Sequence, residues 1–203
     1  MTDADVKFFI EVTVTLFVIM DPPGTIPLFL SLTGGRSPRE RKRLAGQAVL
    51  VAFFVITVFA LFGQSILDYL GITLPAMQVA GGLLLLLVAL QLLTGRADDP
   101  VETSNVNVAL VPLGTPLLAG PGAIVATMVF VRRVDDAWEA IALAAGIVAV
   151  HLLLWLFMRY SGVIIRVIKD SGVTLITRIA GLLLSAIAVQ LVADAVTAFV
   201  REA

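Results

Sequence analysis

Apolar residues run through this chain in long blocks, and the polar ones gather in the short gaps between them. Six blocks are largely apolar, at 6–31, 44–67, 74–94, 106–131, 138–160 and 177–200. Each reaches the roughly 20 residues that a helix needs to cross a hydrocarbon core about 30 Å thick. The pattern predicts six transmembrane helices and an all-α membrane protein. Two blocks are interrupted near the middle, the first by Asp21-Pro22-Pro23-Gly24 and the fourth by Ala119-Gly120-Pro121-Gly122. Proline removes a backbone donor, clashes with the carbonyl one turn earlier and pushes the preceding residue out of the helical region. Helices one and four are therefore expected to be broken, as unwound spans or as re-entrant hairpins.

The polar segment 95–105, with Asp98, Asp99, Pro100 and Glu102, divides the chain into nearly equal parts, and motifs recur across it. Pro23-Gly24-Thr25-Ile26 parallels Pro121-Gly122-Ala123-Ile124 at a spacing of 98 residues. The run from Gly82 through Ala89 and Gln91 parallels that from Gly181 through Ala188 and Gln190 at a spacing of 99. A near-constant offset across two motifs points to duplication: residues 1–97 as repeat one with helices one to three, 98–105 as linker and 106–203 as repeat two, within one transmembrane domain. Three helices per repeat is odd, so the second copy enters the membrane from the other side. Such inverted repeats, with paired broken helices, are the mark of secondary transporters.

Composition agrees: 59% of residues are hydrophobic and 14% charged, against about 25% charged in a globular average, and the mean hydropathy is +1.02. Too little chain remains for a soluble domain of ordinary size, so any chemistry belongs to the membrane part. The net charge of −1 says nothing of partners, and nothing suggests nucleic acid. With no cysteine, a disulfide framework, a thiolate metal site and a thiol relay are excluded. Signatures of metalloproteases, serine hydrolases and nucleotide binding are missing, so an enzyme is not expected, nor a cofactor. The first block lacks a cleavage site and is expected to be retained. Arg36, Arg39, Arg41, Lys42, Arg43, Arg96, Arg159, Arg166 and Lys169 fall in loops of one face, against Lys7, Arg132, Arg133 and Arg201 on the other, with Arg178 at a helix end. Basic loops stay cytoplasmic, which places both termini outside.

In hydrocarbon, backbone groups freed by a break cost several kcal/mol each unless buried in protein or facing a water-filled cavity. The breaks are thus expected to face the interior and each other. Half-helix N-termini favour anions, and unwound carbonyls favour cations, so one site can hold both ends of a zwitterion. Its expected lining is Asp21, Pro23, Gly24 and Thr25 from the first break and Ala119, Gly120, Pro121, Gly122 and Ala123 from the second. Asp21 is the one acidic residue near the centre of an apolar block, where a carboxylate costs at least about 2.5 kcal/mol. It could carry a coupling proton, receive an ammonium group or Na⁺, or cap the second half-helix through Gly24 and Thr25. Gln78, Gln91 and Gln190 are weaker signals; Gln190 and Asp194 share a helix face. His151, the lone histidine, is expected to make structural hydrogen bonds beside Trp155. Glu11 lies about 15 Å of helix from Asp21, near an interface. Gly81, Gly82, Gly146 and Gly181 are expected to allow close helix packing.

The runs Met20-Asp-Pro-Pro-Gly-Thr-Ile-Pro-Leu-Phe-Leu-Ser-Leu32, Ala80-Gly-Gly-Leu-Leu-Leu-Leu-Leu-Val-Ala-Leu-Gln91 and Val111-Pro-Leu-Gly-Thr-Pro-Leu-Leu-Ala-Gly-Pro-Gly-Ala-Ile124 strongly resemble the MarC family of bacterial and archaeal integral membrane proteins, in order and over essentially the whole chain. The resemblance implies a plasma (inner) membrane protein related to the lysine exporter superfamily. It also implies a transporter or exporter of small neutral amino acids, alanine, glycine and serine, coupled to protons. Na⁺ as the coupling ion and assembly into a homo-oligomer are left open by the sequence. Small residues at Gly114 and Thr115 are where the family pattern varies. A passive channel for small solutes or a lipid-linked flippase would use the same broken helices differently.

Overall fold

A computed structural model describes residues 3–94 and 118–202, and these are helical with no strand among them. Seven helices follow in order: α1 (Asp3–Met20), α2 (Pro22–Leu32), α3 (Pro38–Leu70), α4 (Leu74–Thr94), α5 (Pro121–Val131), α6 (Ala137–Arg159) and α7 (Ser161–Glu202). The 98–105 linker, Gly114, Thr115 and the first half of the fourth apolar block lie outside the described residues. Among the described residues, four helices are long and apolar enough to cross a membrane: α3, α4, α6 and the Ser171–Arg201 part of α7. Of the other three, α1 is 18 residues long but carries Asp3, Asp5, Lys7 and Glu11, and α2 and α5 are short. α1 and α2 divide the first block at Asp21, and the 11 residues of α5 reach only about 16 Å, half a bilayer.

Local chemistry sets the ends. Ser37 and Glu40 form a reciprocal capping box ahead of Pro38, with Ser37 N–H donating to Glu40 Oε2 at 2.9 Å. At the other end of α3, Gly71 takes the left-handed conformation, φ 67°, and Ile72 N–H returns to Leu67 O at 2.9 Å. Asp136 caps α6 through Trp138 and Glu139 N–H at 2.7 and 2.9 Å. At 33 residues, α3 is about 50 Å long, so its basic first turns project beyond the apolar slab.

The expected loop at 161–176 is helical instead. Ser161 follows Tyr160 directly into α7, and the chain bends at Lys169, φ 61° and ψ 166°. Val163, Ile164, Ile165, Val167 and Ile168 among Arg166 and Lys169 make that segment apolar enough to lie against a bilayer rather than in water.

Glycines bring the long helices together. A Cβ on Gly82 of α4 would lie 2.8 Å from the Ala188 carbonyl oxygen of α7, and one on Gly181 of α7 would lie 3.2 Å from the Ala89 carbonyl oxygen of α4. The residue partners run in opposite directions along the two helices, so α4 and α7 are antiparallel. The same contact is made twice, with the helices exchanging roles. Other pairs obey this exchange: α2 packs on α6 and α7, whereas α5 packs on α3 and α4.

The core is one apolar cluster that includes Leu16 and Met20 of α1, Phe29 of α2, Leu85 of α4, Ala119 and Ala123 at the start of α5, and Leu184 of α7. Gly46 of α3 lies against Trp155 of α6, with a Cβ position 3.8 Å from Nε1. The start of α3, with Arg36 to Arg43 beside it, therefore shares an end of the molecule with Arg159, which stacks on Trp155 at 4.9 Å. Arg132, Arg133 and Glu11 lie at the other end.

Candidate functional site

Asp21 belongs to two helices at once. Its N–H donates to Phe17 O at 3.0 Å, closing α1, and its carbonyl accepts from Thr25 N–H at 3.0 Å, opening α2. Between those bonds the backbone passes through φ 40°, a left-handed region that Asp and Asn tolerate better than other side chains. Pro22 and Pro23 fill the first positions of α2, where a missing N–H removes nothing the helix uses. The Asp21 side chain folds over the new helix, Oδ1 accepting from Gly24 N–H at 3.1 Å. A Cβ on Gly24 would run into that carboxylate, so residue 24 is glycine for space. Thr25 Oγ1 donates to Pro22 O at 2.7 Å. Asp21 and Thr25 are 7% and 5% exposed, and Asp21 Oδ2 is buried without a hydrogen-bond partner among the described residues.

The second motif opens α5 differently. Ala119 stands where the 98-residue offset places the counterpart of Asp21, and Gly120 is an N-cap with no side-chain bond. Pro121 has no N–H, and the N–H groups of Ala123 and Ile124 turn back to Gly120 O at 3.0 and 3.2 Å. Gly122 thus presents the positive end of an uncapped helix. The Leu85 side chain of α4 lies directly over it, leaving no space for a Cβ. Below it, Thr127 Oγ1 donates to Ala123 O at 2.7 Å.

All nine residues expected at the site stand at these two helix starts, one capped by a buried carboxylate and the other bare. Met20, Ala119 and Ala123 join the same buried apolar cluster.

The remaining candidates are dispersed. His151 is buried in α6, its Nδ1–H donating to Ile147 O at 2.7 Å within the same helix, its ring edge-on to Phe53 of α3 at 5.2 Å. Gln190 Nε2 donates to Asp194 Oδ1 at 2.7 Å, as their spacing suggests. Gly81 lies against Val125 and Gly146 against Val12, both in packing roles.

Sequence reasoning passed over a polar group on the turn between α5 and α6. Arg133 holds Glu11 of α1 in a two-pronged ion pair, Nη2 to Oε2 at 2.9 Å, and stacks on Phe8 and Phe130 at 5.3 and 5.5 Å. The Glu11 carboxylate holds the Arg133 guanidinium above its ordinary range, against a smaller effect of burial. Its neighbour Arg132 donates from Nη1 to Gln64 Oε1 of α3 at 3.1 Å, and Gln64 Nε2 donates to Asp68 Oδ1 at 2.7 Å. The i, i+4 spacing of Gln64 and Asp68 was the available signal.

The chain is similar throughout its length to known membrane proteins. It is 34% identical over 199 residues to a UPF0056 membrane protein of Methanocaldococcus jannaschii, covering 95% of this chain and 97% of that one. It is 33% identical to a UPF0056 membrane protein of Archaeoglobus fulgidus, covering 93% and 92%, and 32% identical to the UPF0056 membrane protein YvbG of Bacillus subtilis, covering 92% of each. No solved structure matches the chain. Residues 6–200 match the model of the MarC family of integral membrane proteins. A membrane chain that carries these breaks, is helical through its described residues and is matched over nearly its whole length belongs to the MarC family.

Proposed function

We propose that the protein is a secondary transporter of small neutral amino acids such as alanine, glycine and serine, coupled to protons through Asp21. The observation that carries this reading is the Asp21 carboxyl group, buried between two half-helices with one oxygen bonded to Gly24 and the other unpartnered. An ionised carboxylate there calls for a cation, and a protonated one for none. The group can therefore alternate between a proton and the ammonium end of a substrate. The bare N-terminus of α5 suits the carboxylate end. Leu85, lying over Gly122, would have to move for a substrate to reach it.

Inverted repeats fit the same reading. The reciprocal Gly82–Ala188 and Gly181–Ala89 contacts between antiparallel α4 and α7, with the exchange of α2 for α5 and α3 for α6, support a relation of the two halves by a two-fold axis. With the two-fold in the membrane plane, alternating access is rocking of 1–97 against 106–203 around the breaks. The basic end is cytoplasmic in this reading, with both termini outside a prokaryotic inner membrane.

The test is uptake of labelled alanine and glycine by purified protein in liposomes, with and without a pH gradient, for the native chain and Asp21→Asn. Saturable uptake that follows the gradient and is abolished or uncoupled in Asp21→Asn is expected. No uptake by well-folded native protein under either condition would end the amino acid assignment.

A further inference from the structure

Where α3 turns into α4, a cleft of about 610 Å³ opens, lined among others by Gln64, Asp68, Thr73, Gln78, Arg132 and Ala198. This is the end of the molecule away from the basic loops, and it uses none of the residues of the breaks. Its lining carries one full positive and one full negative charge, and the two do not meet. Gln64 stands between them, its carbonyl on the Arg132 guanidinium at 3.1 Å and its amino group on the Asp68 carboxylate at 2.7 Å. The donor and acceptor demands of the two charged neighbours set the amide orientation. An acceptor facing a cation and a donor facing an anion, one short group apart, are the neutral copy of a zwitterion. Two such bonds with one amide between them put guanidinium and carboxylate no more than about 8 Å apart, the reach of an α-amino acid with one hydrogen bond at each end.

The geometry points to a second binding site in this cleft for a small zwitterion, its carboxylate on Arg132 and its ammonium on Asp68, with the Gln64 amide displaced. The amide already makes a charge-assisted bond at each end, and a ligand with a full opposite charge at each end adds a charge–charge attraction that the neutral amide lacks. Molecules with one charged end gain at one end only and leave the opposite charge with the amide. Arg132, Gln64 and Asp68 are exposed, so the bonds compete with water and the site binds weakly. As a loading step ahead of the breaks, the site rests on the transport reading; as a binding site, it does not.

Two measurements separate those claims. In the first, alanine binding is followed by saturation-transfer NMR on Asp21→Asn protein in nanodiscs. Alanine signals are expected, displaced neither by propionate nor by ethylamine at equal concentration, and lost when Arg132→Gln or Asp68→Asn is added. No signal from Asp21→Asn with the cleft intact, or a signal indifferent to both changes, overturns the site. In the second, liposome uptake by Arg132→Gln is expected to show a KM for alanine raised roughly fivefold or more with Vmax within about twofold, for substrate presented at the Arg132 face. A raised Vmax at unchanged KM would make the network a closure between helices and would overturn its role in loading. Absence of uptake by the native chain would remove the transport reading and leave the NMR result to decide the site.

Discussion

At the scale of single residues, Asp21 and Gly24 are one device. The carboxylate caps α2 and occupies the space a side chain at position 24 would need. Asparagine tolerates φ near 40° and caps about as well as aspartate, so Asp21→Asn should change stability by less than about 1 kcal/mol while removing the charge. Asp21→Val, with no cap and a branched side chain at positive φ, should cost about 2 kcal/mol or more. Thermal unfolding in detergent checks both, and a large loss in Asp21→Asn would mean that the charge itself holds the junction. Gly24→Ala pushes the carboxylate off the helix and should cost about 1–2 kcal/mol, the worth of a lost cap. In an Asp21→Gly background that collision is gone, so Gly24→Ala should cost clearly less; simple additivity in this cycle would rule out the coupling.

Among elements, α4 and α7 approach through backbone rather than interlocking side chains. Without a hydrophobic drive between helices in lipid, close approach at small residues is the main source of association. A Cβ on Gly82 meets a carbonyl that cannot rotate away, so Gly82→Ala should cost about 1–3 kcal/mol, and Gly181→Ala, at 3.1–3.2 Å from its neighbours, less. Gly162 has nothing within 4 Å of its Cβ position, and alanine there should be neutral or stabilising by up to about 1 kcal/mol. Equal effects at Gly82 and Gly162, measured by unfolding in detergent, would contradict the packing. These helices were legible because their apolar blocks are long and end in strong stops: α4 spans 74–94 as expected, α3 contains its block, and α6 covers 137–159 where 138–160 is expected. The break at Asp21 was legible because two prolines before a glycine suit no helix interior. The helical start of α7 was not, since Arg166 and Lys169 resemble a loop until Val163 and Val167 are seen to give it an apolar side. Nor was the Gln64–Asp68–Arg132 group, because nothing local to Gln64 shows that residue 132, 68 positions away, ends beside it.

For the whole molecule, the turn after α5 matters because its two adjacent arginines hold two different helices of the first half: Arg132 reaches α3 and Arg133 reaches α1. If the halves rock against each other, this end of the molecule separates only when both contacts open. The Arg133–Glu11 partners are about half exposed, at 48% and 46%, and such pairs contribute only about 0–1 kcal/mol. Removing the pair should therefore leave the unfolding temperature nearly unchanged. The same small energy applied to an equilibrium between open and closed forms is a shift of up to about fivefold in population. Because the chain has no cysteine, a single introduced thiol reports that population without background. Ala119→Cys places it beside the second break, at a position 3% exposed. A membrane-impermeant maleimide applied from the Arg133 face should label Ala119→Cys slowly, and a few times faster when Glu11→Gln is added, with melting temperatures alike. Equal labelling rates would mean that the pair does not hold this end closed. Faster labelling together with a large fall in melting temperature would mean that it supports the fold rather than the closed form.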